Sequence, residues 1–119
     1  NPGIGPKVHA AIEAVKLLGM PEGRIPLSVV VTEMALSPKS NTAHMALDKA
    51  INVVRKGGAG KVPSHIRTNS PQYKYPHDYP KYYVKQQYLP DNLVNTKFYS
   101  PHFNKYENGL NKVNEEMKK

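Results

Sequence analysis

The aromatic and aliphatic residues of this chain are separated along its length, and that separation limits what it can fold into. All ten aromatic residues lie between Tyr73 and Tyr106, together with four of the six prolines found between Val62 and Pro101. Residues 1–59 contain no aromatic residue but hold 19 of the 28 Ile, Leu, Val and Met residues. The first half therefore reads as aliphatic helices. The second cannot be a continuous helix, because each proline removes an amide donor and restricts the residue before it.

With 119 residues the chain suits one domain, taken as 1–119. It is too short for a nucleotide-hydrolysing motor or a two-domain enzyme. No stretch reaches the roughly 18 apolar residues of a membrane span, and no signal-peptide pattern opens the chain. The absence of cysteine excludes disulfides, thiol catalysis and Cys-ligated metal. A formal charge of +8 suits an acidic partner such as nucleic acid and says nothing of fold.

The apolar spacing predicts three helices within 6–57 and short connections between them, as in a helical bundle. Val8, Ala11, Ile12, Val15 and Leu18 make the first stripe, stopped at Gly19. The second segment, Ile25–Leu36, contains Val29-Val30-Val31, which could be a buried strand over Leu27–Val31. Its length, Pro26 near the start, and Ser28 and Thr32 one turn apart favour a helix buried nearly all round. Leu27, Val30, Val31 and Met34 are its candidate core or oligomer face. The third carries Ala43, Leu47, Ala50, Ile51 and Val54 on one face, with Ser40 or Asn41 as cap and Arg55 and Lys56 in the last turn. An irregular Pro- and Tyr-rich wrap is expected over 60–101. A last helix near 104–117 follows, with Phe103, Tyr106, Leu110, Val113 and Met117 on one face. Gly109 weakens it by about 1 kcal/mol relative to Ala. The fold class is all-α.

Catalytic patterns are sparse. Gly57-Gly58-Ala59-Gly60-Lys61 fails the G-x-x-x-x-G-K-[ST] spacing, which would need Gly at Arg55 and Ser or Thr at Val62. It also follows a helix rather than a strand, so a helix stop is expected. The five His residues include no i, i+4 pair for a metal. His77-Asp78 is the one adjacent pair able to orient a base, which leaves a small hydrolase as a rival class; a rigid turn is the plainer reading. Neither catalytic nor metal residues are expected. From Tyr73 to Tyr88, lysines alternate with tyrosines, a composition suited to stacking on unpaired bases and neutralising phosphates. The same tyrosines could instead clamp over the helices and supply an aromatic core. Candidate phosphate contacts are Lys56, Lys61, Arg67, Lys74, Lys81 and Lys85. Candidate stacking or clamp residues are Tyr73, Tyr75, Tyr79 and Tyr88. A stand-alone ribosomal or RNA-binding protein would suit the charge and size as well.

Four segments, in order, resemble one family: Gly19-Met20-Pro21-Glu22-Gly23-Arg24, Leu36-Ser37-Pro38-Lys39-Ser40-Asn41, Tyr73-Lys74-Tyr75-Pro76-His77-Asp78-Tyr79-Pro80 and Gln86-Gln87-Tyr88-Leu89-Pro90. They resemble the C-terminal region of the replication-associated recombination protein A family, also called MgsA. These are bacterial AAA+ ATPases of genome maintenance, related to the Werner-helicase-interacting protein, and the resemblance covers roughly residues 8 to 107. It implies a C-terminal helical domain that assembles a homotetramer, acts at stalled replication forks, contacts DNA ends and gaps, and associates with single-stranded DNA-binding protein in the bacterial cytoplasm, at the nucleoid. It places ATP and magnesium in an N-terminal ATPase module that this chain does not contain, so no cofactor is expected here. The start at Asn1-Pro2, without Met, is expected of an excised C-terminal fragment. Relatives carry a longer Gly- and Lys-containing stretch between Pro63-Ser64-His65-Ile66-Arg67 and Tyr73. Either this member has a short loop or a segment is missing here, and the second is the expectation.

Overall fold

The computed structural model describes residues 1–119. It contains four α-helices and no strand: α1 (Ile4–Leu18), α2 (Arg24–Leu36), α3 (Thr42–Arg55) and α4 (Lys105–Lys118). Leu27–Val31 is helical, as length and flanks indicate. Pro6 and Pro26 fall in the first turns of α1 and α2, where an amide has no intrahelical acceptor to lose. Between α3 and α4 the chain makes only short 3-10 turns, at Ser64–Ile66, Pro76–Asp78, Pro80–Tyr82 and Asp91–Leu93.

Contacts divide the chain into two compact units, Asn1–Lys39 and Ser40–Lys119. The first is an α1–α2 hairpin. Its ends fix the antiparallel direction: Asn1 Nδ2 donates to Glu33 (2.9 Å) and Ser37 (3.2 Å), and Lys7 Nζ pairs with Glu33 at 2.9 Å. At the other end the Gly23 amide donates to the Gly19 carbonyl at 2.7 Å. A Cβ on Gly23 would come within 2.8 Å of that carbonyl oxygen and 3.3 Å of Val15, so the tight Gly19–Gly23 turn requires glycine there. Ala11 and Val30 are the buried aliphatic residues of the hairpin. The expectation that α2 is buried nearly all round is corrected. Leu27 is half-buried and Val30 buried, but Val29 is 61% and Val31 56% exposed, and Met34 also reaches solvent. Two helices can cover only one side of each other.

The second unit has little apolar core and is stitched by hydrogen bonds. Gln86 donates to the Lys74 carbonyl (2.7 Å) and the Tyr88 hydroxyl (2.9 Å), and its own oxygen accepts from the Lys74 amide (3.3 Å). Gln87 donates to the Leu89 carbonyl and the Asp91 carboxylate, both at 2.8 Å. A His65 ring nitrogen meets the Gln87 carbonyl at 2.7 Å. The Arg67–Tyr73 passage closes through turns, with the Ser70 amide on the Arg67 carbonyl (3.1 Å) and the Tyr73 amide on the Ser70 carbonyl (3.4 Å).

Helix α3 meets its expectations only in part. Asn41 is its N-cap residue and makes no side-chain cap bond, whereas Ser40 Oγ accepts from the Thr42 amide in the first turn, at a long 3.5 Å, while donating its own proton to Glu107 at 2.9 Å. Its aliphatic stripe is covered only in part: Ala50 and Ile51 are half-buried, but Leu47 is 58% exposed and Val54 is exposed too. The neighbouring face, with Met45, Lys49, Asn52, Val53 and Lys56, lines a cleft shared with Phe98, Ser100 and His102. The apolar face of α4 is likewise open, with Tyr106, Leu110 and Val113 exposed.

Candidate functional site

The most constrained chemistry in the chain surrounds Glu107, in the first turn of α4. Asn104 is the N-cap, and its side-chain oxygen accepts from the Glu107 amide at 2.9 Å, satisfying one of the free amides of the helix start. The Glu107 carboxylate, only 5% exposed, then gathers donors from three segments. It accepts from the Thr42 and Tyr99 hydroxyls, the latter at 2.7 Å, from Ser40 Oγ at 2.9 Å, from the Asn104 side-chain amide, and from the His102 backbone amide at 3.4 Å. These bonds, that from Thr42 foremost, hold its pKa down to about 2, against the opposing pull of desolvation. Tyr99 is pushed up, first because its hydroxyl donates to that carboxylate and then by desolvation. No sequence expectation included this cluster. The signal that could have found it is Asn104-Lys105-Tyr106-Glu107, an N-cap residue followed by Glu at the third helical position.

Beside it lies the α3 cleft of about 600 Å3. Lys56 lines it as a candidate phosphate contact. Lys49, which was not anticipated, donates to the Lys97 carbonyl and stands 6.0 Å above the Phe98 ring.

The other sequence candidates lie along the irregular segment. Lys61, Arg67, Lys74, Lys81 and Lys85 are all exposed. Arg67 donates to the Val62 carbonyl (3.1 Å) and Lys81 to the Glu116 carbonyl near the end of α4 (3.4 Å). Gln86, which follows Lys85 in sequence, bonds the Lys74 backbone through its side chain and so holds these two stretches of chain together. Tyr73, Tyr75, Tyr79 and Tyr88 are exposed. Tyr82, outside the expected set, is 74% exposed and joins a run of rings: Tyr75 to His77 at 4.9 Å between centroids, His77 to Tyr82 at 5.8 Å.

No group of three or more His, Asp or Glu is placed to hold a metal ion. The glycine loop does not fit a nucleotide phosphate. Gly60 has φ 67°, and a Cβ there would stand 2.1 Å from Asn92 Oδ1 and 2.7 Å from Pro90 Cβ; Asn92 in turn donates to the Gly58 carbonyl at 2.9 Å. These glycines let the loop pack against Pro90–Asn92. No helix is long and apolar enough to cross a membrane.

Comparison with known proteins places the chain in one family. The family model described as MgsA AAA+ ATPase C terminal matches residues 1–118. The replication-associated recombination protein A of Bacillus subtilis is 41% identical over 130 aligned positions, covering 100% of this chain and 31% of that protein. An uncharacterised AAA domain-containing protein of Mycobacterium tuberculosis is 41% identical over 102 positions, covering 77% of this chain and 23% of its own length. An uncharacterised protein of Thermotoga maritima is 30% identical over 107 positions, 79% of this chain and 17% of that protein. The chain thus spans less than a third of the length of each of these relatives. The Gly19–Gly23 turn, the Lys74–Gln86 clasp and the Gly58–Asn92 contact all fall within the matched span, and the chain belongs to the MgsA AAA+ ATPase C-terminal family.

Proposed function

We propose that this domain assembles an AAA+ ATPase of DNA replication and recombination into a closed homotetramer and contributes basic contacts to DNA. The observation that carries the assembly role is surface area. A compact chain of 13.3 kDa would expose about 6,500 Å2, and two separate globules of 39 and 80 residues about 7,700 Å2. This chain exposes 9639 Å2, and much of it is aliphatic: Ile25, Val29, Val31 and Leu36 on α2, Leu47 and Val54 on α3. A surplus of about 2,000 Å2 exceeds the roughly 800 Å2 each partner contributes to one standard interface. That surplus has room for two standard interfaces per subunit, or for one of obligate size, and it supports the closed tetramer as one of the assemblies that would cover it. The name of the Bacillus relative supports the replication and recombination setting, and the AAA+ family supports ATP and magnesium as ligands of a separate ATPase module. Catalysis would lie in that module rather than in these residues.

The DNA contact rests on exposed cations in the irregular segment. Lys61, Lys74 and Lys85 have no side-chain bond to break before meeting phosphate, and such binding should weaken steeply with salt.

Light scattering coupled to size exclusion tests the assembly. The chain should elute at four times its own mass and dissociate on dilution. Charging the exposed α2 face by Ile25→Glu with Val29→Glu, one turn apart on that face, should yield single chains at every concentration, since a carboxylate stranded in an apolar interface is strongly unfavourable. A single-chain mass for the unaltered protein at tens of micromolar would reject the assembly role.

A further inference from the structure

Between Pro80 and Tyr83 the backbone does something that bulky residues rarely do. Lys81 and Tyr82 both adopt left-handed conformations, at φ 62° and 54°, although neither is glycine. Two successive strained residues persist only where their surroundings hold them, and such strain tends to gather at working sites. Here the surroundings are visible: the Tyr82 amide donates to the Tyr79 carbonyl at 3.1 Å, and Lys81 Nζ reaches the Glu116 carbonyl of α4. The reversal sets the Tyr82 ring beside His77, which already lies against Tyr75. The rings are tilted by 45° and 51° rather than stacked flat, and all three residues are exposed. Exposed, spaced rings that are not buried against aliphatic side chains leave π-faces for another planar partner. Asp78 is the one acidic residue between Tyr73 and Tyr88, against Lys74, Lys81 and Lys85.

We propose that Tyr75, His77 and Tyr82 form a platform for the unpaired bases of a single strand, with Tyr82 as its outermost ring and Lys74 and Lys85 as flanking phosphate contacts. This rests on the reading that the domain contacts DNA, and it narrows that reading to single strands and to base faces. Base pairs in a duplex are already stacked and offer these rings nothing, whereas an unpaired base of any identity can stack. The platform should therefore tolerate sequence and discriminate strandedness.

Fluorescence anisotropy with the whole chain provides the test, on three labelled probes at low salt: an oligothymidine of about 16 nucleotides, an abasic strand of the same length and charge, and a hairpin duplex. The oligothymidine should bind at least about fivefold more tightly than the abasic strand. Tyr82→Ala should remove that advantage while leaving abasic and duplex binding unchanged, and Tyr82→Phe, which keeps the π-face, should restore it. Circular dichroism identical to that of the unaltered chain separates this from misfolding. Equal binding of oligothymidine and abasic strand, or equal losses on all three probes in Tyr82→Ala, would overturn the platform and leave general phosphate contact standing. No binding of any probe by the unaltered chain would overturn the DNA reading and the platform with it.

Discussion

Residues 1–39 bury two aliphatic side chains, Ala11 and Val30, whereas residues 40–119 bury a hydroxyl and a carboxylate, Thr42 and Glu107. The hairpin relies on apolar contact, which is non-directional and proportional to area, and two helices supply little of it. Its open α2 face is where a second subunit would add the missing area. The larger unit relies on directional bonds. Ser40, Thr42, Tyr99, His102 and Asn104 converge on one carboxylate, and Gln86 and Gln87 clasp neighbouring backbone. A satisfied buried network specifies a single arrangement without a large core, and it fails sharply when one member is lost. The same domain thus pairs a part suited to association with a part that defines its own shape.

The comparison breaks most visibly at Glu107. Its folded pKa lies near 2 against an ordinary 4.5. The depressed value means that its contribution is complete above about pH 4.5 and is lost as pH falls through about 2. Glu107→Ala leaves four side-chain donors without their acceptor and should be the most damaging single change in residues 40–119. Glu107→Gln turns an amide NH2 towards groups that donate, so it should also destabilise and should flatten the acid dependence between pH 4.5 and 2. Urea midpoints followed by tyrosine near-ultraviolet dichroism across that range check both. A Gln variant as stable as the original would show that the network is ornamental.

Next in size is Gly60→Ala. A Cβ would meet Pro90 and Asn92, and the residue would have to keep φ 67°. Relief requires Asn92 to leave the Gly58 carbonyl and the Pro90 turn to shift. A loss of about 3 kcal/mol is expected from strain and collision combined. A loss below about 0.5 kcal/mol would mean that the loop moves freely and the close packing is dispensable.

How much of this could be read from the chain differs between the two units in the same way. The extents of α1 and α2 follow from apolar spacing with Gly19, Gly23 and Pro26 at their ends, but what they bury does not: one helix pair covers Ala11 and Val30 and leaves Ile12, Leu18, Val29 and Val31 open. The extent of α3 follows from its stripe, but the cleft beside it does not: Met45, Lys49 and Val53 line it together with Phe98, Ser100 and His102, about fifty residues on, and no periodicity within α3 points to them. α4 was visible as a stripe, yet its anchor is a charged residue off that stripe. A buried glutamate is invisible to hydrophobic patterning and shows only as capping chemistry at Asn104. The cations and most of the rings were legible by composition. Tyr82 was not singled out, since its backbone conformation is set by tertiary contacts.

The smallest expected effect is the one that separates the two units. Val30→Ala removes two methyl groups from the α1–α2 contact, worth about 2 kcal/mol. If the hairpin opens as a cooperative unit of its own, amide exchange in α1 and α2 should accelerate by about 30-fold. Amides of α4 and of the Gln86–Asp91 clasp should keep their rates, because nothing in their hydrogen bonding involves Val30. Raising the protein concentration sharpens the contrast. Burial of the α2 face in an assembly adds stabilisation that grows with subunit concentration, so protection in α1 and α2 should climb in both the original and the variant. Uniform acceleration throughout the chain would show one cooperative unit instead, with the polar network and the aliphatic hairpin folding only together. Exchange in α1 and α2 that ignores concentration would remove the α2 face from the assembly and move the search for the interface to the exposed stripes of α3 and α4.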